Sequence, residues 1–269
     1  DTPTVNAGID ITISQGATAD LSGITTNASS VLWTFTGGSG TLNNPTDESS
    51  AQYVSDPTDV GPITLTLTAQ PLTVNGVNCG SAVVDTLIIS INPAPTADAG
   101  NNRAICLNEV TTLGVASTPG YSYDWTSVPF DSSLSDPSSS EPNVSPLVTT
   151  EYTVTVTDDA GGTAQDTVTV TVNPLPTANA GNDDTICFGG TYVLGVPEQG
   201  GFTYAWTSIP AGFTSTQADP TVAPIVTTQY FLTVTNSTTL CQNEANVEIT
   251  VESPPVINAG NDENICDTQ

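Results

Sequence analysis

Cysteine is the side chain with the greatest capacity for chemistry in this chain, because histidine is absent and Lys and Arg together contribute one residue of 269. Without histidine, His-based catalytic triads and His metal sites are excluded, and most simple general-base schemes are missing. Cys106, Cys187 and Cys266 recur at one position of a repeated pattern, whereas Cys79 and Cys241 recur at another. Disulfide formation is therefore the first chemistry to consider.

Carboxylates dominate the charge of the chain. Asp and Glu number 28, and the formal net charge is −27 at pH 7. Phosphate backbones and anionic lipid head groups bind to Lys and Arg, so this charge disfavours both kinds of partner. The longest apolar stretches are interrupted by polar residues and are too short to cross a bilayer. We expect no nucleic-acid partner and no membrane insertion.

Aspartate and asparagine gather after two short proline-rich segments at 92–95 and 173–176, which we predict to be linkers, and in a predicted loop at 158–162. Oxygen ligands at a domain junction suit Ca²⁺, which binds roughly six to eight oxygens and favours carboxylates and amides. Alternatively, these residues solvate an acidic surface and form turns. Calcium is the one cofactor that the sequence indicates, and its candidate ligands are Asp98, Asn101, Asp158, Asp159, Asn182 and Asp183.

Two sequence anchors recur in register along the chain. The first anchor is a six-residue motif that ends in Ala-Gly and begins at Pro3, Pro95, Pro176 and Pro255. The second anchor is a tryptophan, at Trp33, Trp125 and Trp206. Anchors that move together indicate duplication of a whole domain. The predicted repeats are residues 1–94, 95–175 and 176–254, and residues 255–269 are the start of a fourth. We therefore expect a segment of a longer chain.

Each repeat shows the two-residue periodicity of half-buried strands. Valine alternates with threonine over residues 153–157 and 167–172, and the cluster at 158–162 predicts a hairpin turn between them. Some seven short strands in each repeat predict an all-β fold, a linear rod of tandem immunoglobulin-like β-sandwiches. The tryptophans fall on the third strand, and tyrosines begin the sixth. We predict that these aromatic residues pack in the cores, and they are Trp33, Trp125, Trp206, Tyr152 and Tyr230.

Three runs of the second repeat carry a family resemblance: Asp-Ala-Gly-Asn-Asn-Arg-Ala-Ile-Cys at 98–106, Tyr-Asp-Trp at 123–125 and Tyr-Thr-Val-Thr-Val-Thr-Asp at 152–158. They resemble the polycystic-kidney-disease-type (PKD-like) module. More narrowly, the whole chain is similar to the tandem Ig-like repeats of giant secreted surface adhesins of Bacteroidota, including gliding-motility adhesins. The resemblance implies an extracellular protein on the cell surface. The standard Trp-Asp-Phe-Gly-Asp-Gly signature is absent, and residues 33–38 are the nearest match.

The presence and absence of cysteines in each repeat favour one pairing rule. Pairing within a repeat, or pairing the late cysteine of one repeat with the early cysteine of the next, leaves some cysteines without partners. Pairing the early cysteine of one repeat with the late cysteine of the next joins Cys106 to Cys241, and Ser14 then matches the missing late cysteine of the second repeat. The remaining Cys79, Cys187 and Cys266 would bond outside the segment. The alternative is five buried free thiols.

The predicted function is a structural stalk segment of a large cell-surface adhesin, which extends and stiffens a filament for attachment or gliding. Its partners would be neighbouring repeats of the same chain, together with an extracellular surface or glycan bound through other regions. The alternative is a carbohydrate-binding or spacer module of a secreted multidomain hydrolase. We expect no enzyme, because each polar cluster recurs with the domain whereas an active site usually occurs once.

The resemblance to Bacteroidota proteins also suggests O-glycosylation, whose acceptor pattern there is Asp, then Ser or Thr, then an apolar residue. The candidate acceptors are Thr86, Thr167 and Thr185. In strands that alternate threonine with valine, β-propensity alone produces the same pattern.

Overall fold

A computed structural model of the chain describes residues 2–255 and residue 257. These residues form strands, turns and irregular segments and no helix, so the prediction of an all-β fold of tandem β-sandwich domains is confirmed. The chain divides into two compact units, the first ending at Thr171 and the second beginning at Val172. The first predicted repeat and residues 95–171 of the second thus lie in one unit, and the repeat boundaries themselves stay a prediction.

The first repeat contains a four-stranded sheet in the order β2-β11-β8-β5, a three-stranded sheet β3-β7-β6, and the pairs β1-β4 and β9-β10. The strands are β1 (Thr4–Asn6), β2 (Ile11–Ser14), β3 (Thr18–Asp20), β4 (Ile24–Thr26), β5 (Ala28–Thr36), β6 (Thr41–Asn43), β7 (Gln52–Val54), β8 (Gly61–Pro71), β9 (Thr73–Val74), β10 (Val77–Asn78) and β11 (Val83–Asn92).

The second repeat has the same main sheet, in the order β12-β17-β16-β14, and a short pair β13-β15. Its strands are β12 (Arg103–Cys106), β13 (Thr111–Thr112), β14 (Ser122–Val128), β15 (Asn143–Val144), β16 (Thr150–Thr157) and β17 (Thr163–Asn173). Along β16 and β17 the valines face inward while the threonines, apart from the buried Thr150, face outward, as period-two patterning requires.

The third repeat, in the second unit, again has a four-stranded sheet, in the order β18-β23-β22-β20, and a pair β19-β21. Its strands are β18 (Asp184–Cys187), β19 (Tyr192–Val193), β20 (Phe202–Ile209), β21 (Thr221–Val222), β22 (Thr228–Asn236) and β23 (Gln242–Glu252). In the short pair, Tyr192 and Val193 of β19 pair with Val222 and Thr221 of β21.

The Ala-Gly motif forms a turn that leads into the first strand of each main sheet. In the second repeat the Asp98 carboxylate accepts a hydrogen bond from Gly100 N at 2.8 Å, and Asn6 and Asn179 make the same contact in the other repeats. Asp and Asn side chains favour such turns because they bond their own backbone two residues on. The Ala-Gly motif therefore recurs because every sandwich begins with the same turn.

Each sandwich has its own core around one tryptophan. Trp33, Trp125 and Trp206 are buried, as are Tyr152 and Tyr230. The indole Nε1 of Trp125 donates to Ser139 O at 2.9 Å, and that of Trp206 donates to Gln217 O at 3.0 Å. The corresponding Trp33 Nε1 has no hydrogen-bond partner.

Some predictions fall outside the described residues. The fourth repeat at 255–269, including Cys266, lies there apart from Pro255 and Ile257. Among the residues that the structure does describe, no helix is long and apolar enough to cross a membrane.

Candidate functional site: the contact between the first two repeats

Ser14 lies where the chain passes from the first repeat to the second. It is the last residue of β2, which runs parallel to β11, and it pairs in register with Asn92 at the end of that strand. Because parallel strands end at the same edge of a sheet, β2 ends beside the point where the chain leaves the first repeat. Ser14 is only 2% exposed, which is unusual for an isolated serine at a strand end.

The side chain of Ser14 is bound by the hairpin turn of the second repeat. Its Oγ lies 2.8 Å from Oδ1 and 2.7 Å from Oδ2 of Asp158, so the single hydroxyl hydrogen is donated to the carboxylate. The backbone N–H of Gly162 donates to the same Oγ at 2.9 Å. We call Ser14, Asp158 and Gly162 the Ser14 joint.

Asp158 also organises its own turn. Its Oδ1 accepts hydrogen bonds from Ala160 N at 2.9 Å and Gly162 N at 2.8 Å, and its backbone closes the turn with Gly162 O and Gly161 N. Burial, which leaves Asp158 8% exposed, raises its pKa, but the bonds from Ser14 and the backbone outweigh burial and hold the pKa below its ordinary value. Asp158 is therefore ionised at neutral pH.

Gly162 allows the two repeats to approach. A Cβ at this position would lie 2.3 Å from Ser14 Oγ and 2.5 Å from Ser14 Cβ, which is closer than atoms can pack. A side chain here would push the turn away from β2. The Ser14 joint therefore depends on glycine at residue 162 as well as on the two polar side chains.

The Ser14 joint should weaken in acid. The pKa of Asp158 is lower in the folded chain than in the unfolded one, so its ionised form adds stability above the unfolded value of 3.8, and this contribution is lost as the pH falls through the folded value. We expect the difference in unfolding free energy between the wild type and Asp158→Asn to shrink as the pH is lowered from 7 to below 3.8. Urea titrations of both proteins measure it, and a difference independent of pH would contradict the assignment.

The four cysteines that the structure describes fall into two groups. Cys106, at the end of β12, and Cys241, just before β23, are both disulfide-bonded. Cys79 and Cys187 are free, and Cys187 is exposed. Ser14, Cys106 and Cys187 occupy the same position, the last residue of the first strand of the main sheet. The alternative of five buried free thiols is therefore wrong.

The six candidate calcium ligands have separate surroundings in the structure. Asp98 bonds within its own turn, Asp158 belongs to the Ser14 joint, and Asp183 Oδ1 accepts from Glu248 N at 2.8 Å. Asn101, Asp159 and Asn182 are exposed. No group of three or more Asp, Glu, Cys or His side chains that could hold a metal ion is found in the described part of the chain.

Calcium binding stays a prediction, and its test is simple. Ligands that bind only the folded state raise its melting temperature. If the junction residues bind Ca²⁺, calorimetry of the full chain should give a higher melting temperature in calcium than in excess chelator, whereas Mg²⁺ should have a smaller effect. An unchanged melting temperature would count against the ion.

The candidate acceptors Thr86, Thr167 and Thr185 are exposed on strands β11, β17 and β18. The aspartates before the first two have a structural role. Asp85 Oδ2 accepts from Ala7 N, and Asp166 Oδ2 accepts from Ala99 N, both at 2.8 Å, so each fixes the Ala-Gly turn. This contact explains the aspartate of those tripeptides without a glycan, and glycosylation itself stays a proposal.

The second-repeat tyrosine bonds to a residue that the sequence did not single out. Tyr152 Oη donates to Asp131 Oδ2, and Asp131 also accepts from the Ser133 hydroxyl and backbone N–H. Burial and the neighbouring carboxylate raise the pKa of Tyr152, so the phenol stays protonated. In the third repeat, Tyr230 instead packs edge to face on Phe213 at 5.4 Å.

Sequence reasoning missed the Ser14 joint as a contact. From the sequence, Ser14 is the place of an absent cysteine, Asp158 is a candidate metal ligand, and Gly162 is only part of the predicted hairpin turn at 158–162. The available signal was that the cysteine rule already placed Ser14 opposite the loop before the last strand of the second repeat. A serine hydroxyl opposite an Asp-Asp-Ala-Gly-Gly turn can donate to an aspartate carboxylate and accept from a backbone N–H of the turn. Such a pair can take the place of the two cysteines.

The sheet order, the Trp-centred cores and the repeated turn define a chain of tandem Ig-like and PKD-like β-sandwich domains. Within it, residues 99–172 match the family described as K319L-like, PKD domain. Domains of this class are typically non-catalytic structural modules.

Solved structures of tandem Ig domains are similar to the chain at low identity. The I9–I11 tandem of titin is 13% identical with a TM-score of 0.38, covering 93% of this chain and 100% of the titin chain. Sidekick-1 immunoglobulin domains 1–5 are 14% identical with a TM-score of 0.36, covering 94% of this chain, which spans 60% of that structure. The insect immune protein hemolin is 12% identical with a TM-score of 0.34, covering 94% of this chain and 76% of hemolin. No curated protein sequence matches the chain.

Proposed function

We propose that this chain is a stalk segment of a large adhesin on the cell surface, where it extends and stiffens a filament used in attachment or gliding. The observation that supports the proposal most directly is the Ser14 joint. Within the first compact unit, it attaches two successive sandwiches through buried hydrogen bonds in addition to the linker between them. A second attachment opposes bending at the linker, which is what a load-bearing segment requires.

The linkers favour the same function. The sequences Asn-Pro-Ala-Pro at 92–95 and Asn-Pro-Leu-Pro at 173–176 are short and rich in proline, and such linkers act as semi-rigid spacers. Chains of repeated domains gain stability within each repeat and at each neighbour contact, so their length can vary without redesign. A rigid rod of tandem sandwiches is the shape that this proposal requires.

We also propose that a disulfide between Cys106 and Cys241 fastens the second repeat to the third. The pairing rule from the sequence supports this bridge, as does the disulfide-bonded state of both residues. The bridge would lie at the junction between the second and third repeats. Its Cys106 occupies the position that Ser14 has in the first repeat. Disulfides persist outside the cell, so the bridge is consistent with an extracellular, cell-surface location.

The bridge and the stiffness that it provides can be tested together. Non-reducing peptide mapping of the full chain should recover a peptide that joins Cys106 to Cys241, and a peptide joining Cys187 to Cys241 would refute the pairing. In small-angle scattering, the Cys106→Ser/Cys241→Ser double variant should be more flexible than the wild type. Cys187→Ser is the matched control, because that thiol is free and exposed. Equal flexibility in all three proteins would overturn the stalk proposal.

A further inference from the structure

One row of outward-facing side chains differs between the repeats. The row crosses three neighbouring strands of each main sheet and lies on the face opposite the core. In the first two repeats every member is threonine, and the residues are Thr34, Thr66 and Thr86, and Thr126, Thr153 and Thr167. In the third repeat the paired residues are Thr207, Phe231 and Asn246. The third repeat therefore carries an aromatic ring where its two relatives in the same chain carry a hydroxyl.

The aromatic ring lies in a shallow groove of about 490 Å³. The groove is lined by Thr207, Phe231, Thr233, Glu244, Ala245 and Asn246. On the same face, Ala205 pairs with Thr233, whereas the corresponding residues are Leu32 and Asp124 in the other repeats. The Phe231 side chain is half-buried. The third repeat therefore departs from the repeated pattern at several positions of this one face.

We propose that this groove binds a neutral saccharide. Phe231 offers an apolar ring on which the C–H face of a sugar can pack, and such contacts favour exposed aromatic residues. Thr207 and Thr233 supply hydroxyl groups, Asn246 supplies amide donors and an acceptor, and Glu244 supplies acceptors for sugar hydroxyls. One hydrophobic platform with a few convergent polar groups is the composition of a small-molecule site.

The charge of the chain and the strand pairing at Phe231 disfavour two competing kinds of ligand. An anionic sugar or a phosphate would be repelled, because the chain carries −27 and the groove contains no cation. A peptide that adds a strand needs an unpaired backbone edge. Strand β22, which carries Phe231, is paired on both sides, with β20 and β23, so it offers no such edge. A neutral polyhydroxylated ligand meets neither obstacle at Phe231.

This inference goes beyond the stalk proposal and does not depend on it. A load-bearing sandwich needs no ligand groove, and the first two repeats lack the aromatic residue. The third repeat would bind a glycan along its side while the chain as a whole carries load. The two proposals can therefore be refuted independently. The stalk proposal is tested by the stiffness of the chain, and the groove proposal is tested by sugar binding.

The test uses the full chain and two matched phenylalanine variants. A glycan array of neutral gluco-, manno-, galacto- and xylo-oligosaccharides identifies a binding sugar, and isothermal titration calorimetry measures its affinity. Phe231→Thr restores the threonine that the other repeats carry at this position, so it should fold, and we expect its affinity to fall at least about tenfold. Phe130→Thr removes a strongly exposed ring outside the groove, and it should bind as the wild type does.

Three outcomes would overturn the proposal. They are the absence of binding to every neutral oligosaccharide on the array, an affinity that Phe231→Thr leaves unchanged, and an equal loss in Phe130→Thr. Asn246→Thr also restores the residue of the other repeats, and it should weaken binding while leaving Phe231 in place. Circular dichroism of each variant must match the wild type, so that a loss of affinity reports the groove and not misfolding.

Discussion

Replacing Asp158 with alanine should lower the free energy of unfolding of the first compact unit by about 3 kcal/mol. The change removes the acceptor of the buried Ser14 hydroxyl and of the Ala160 and Gly162 N–H groups. The Ser14 hydroxyl and the Ala160 N–H lose the acceptor that they have in the wild type, whereas Gly162 N still donates to Ser14 Oγ. Hydrogen exchange of the full chain, followed by mass spectrometry, measures the effect in β16 and β17. Protection in the second compact unit should be unaffected.

The neighbouring aspartate provides the control for this prediction. Asp159 is exposed, so Asp159→Ala should change stability by less than about 0.5 kcal/mol. Ser14→Ala removes the opposite partner, and in a double-mutant cycle with Asp158→Ala the two changes should be strongly non-additive, because they break the same contact. Additive effects would mean that Ser14 and Asp158 stabilise their own repeats and do not bind each other.

Gly195→Ala should destabilise the third repeat by about 3 kcal/mol. Gly195 has a φ of +70°, which alanine adopts at a cost, and a Cβ there would lie 2.2 Å from Ala218 O and 3.0 Å from Cζ2 of Trp206. The backbone beside the core tryptophan would have to move. Hydrogen exchange in β20 and β22 measures the loss.

The Gly189→Ala variant distinguishes the cost of a left-handed backbone from the cost of steric crowding. Gly189 also belongs to the third repeat and has a φ of +84°, but nothing lies within 4 Å of a Cβ at that position. Gly189→Ala should therefore cost only about 1 kcal/mol, the cost of the left-handed backbone alone. Equal losses in the two variants would show that the contact with Ala218 and Trp206 is relieved without cost.

The sequence predicted those elements whose period-two pattern is uninterrupted. The strands that carry Trp125 and Trp206, the strands that begin near Tyr152 and Tyr230, and the turn at 158–162 all lie where the pattern placed them. Short strands were harder to predict, because two paired residues such as Thr111 and Thr112 give no periodic signal. The three-stranded sheet of the first repeat had no clear pattern either.

The site was less predictable than the fold because its contacts join distant parts of the chain. Ser14 and Asp158 are 144 residues apart, so no local spacing connects them. Only the arrangement of β2 parallel to β11 places Ser14 at the exit of its sandwich. The groove around Phe231 was missed for a different reason. The repeated motifs predict what the repeats share, whereas Phe231 stands where the other repeats carry threonine.

The Ser14 joint needs no oxidant to form, because it is held by hydrogen bonds alone. Its two sandwiches can dock as soon as both have folded, and a reducing agent leaves them docked. Under tension such a contact can open and close again many times, whereas a broken covalent bond must be chemically remade. The contact between the first two repeats can therefore open and re-form without any chemical reaction.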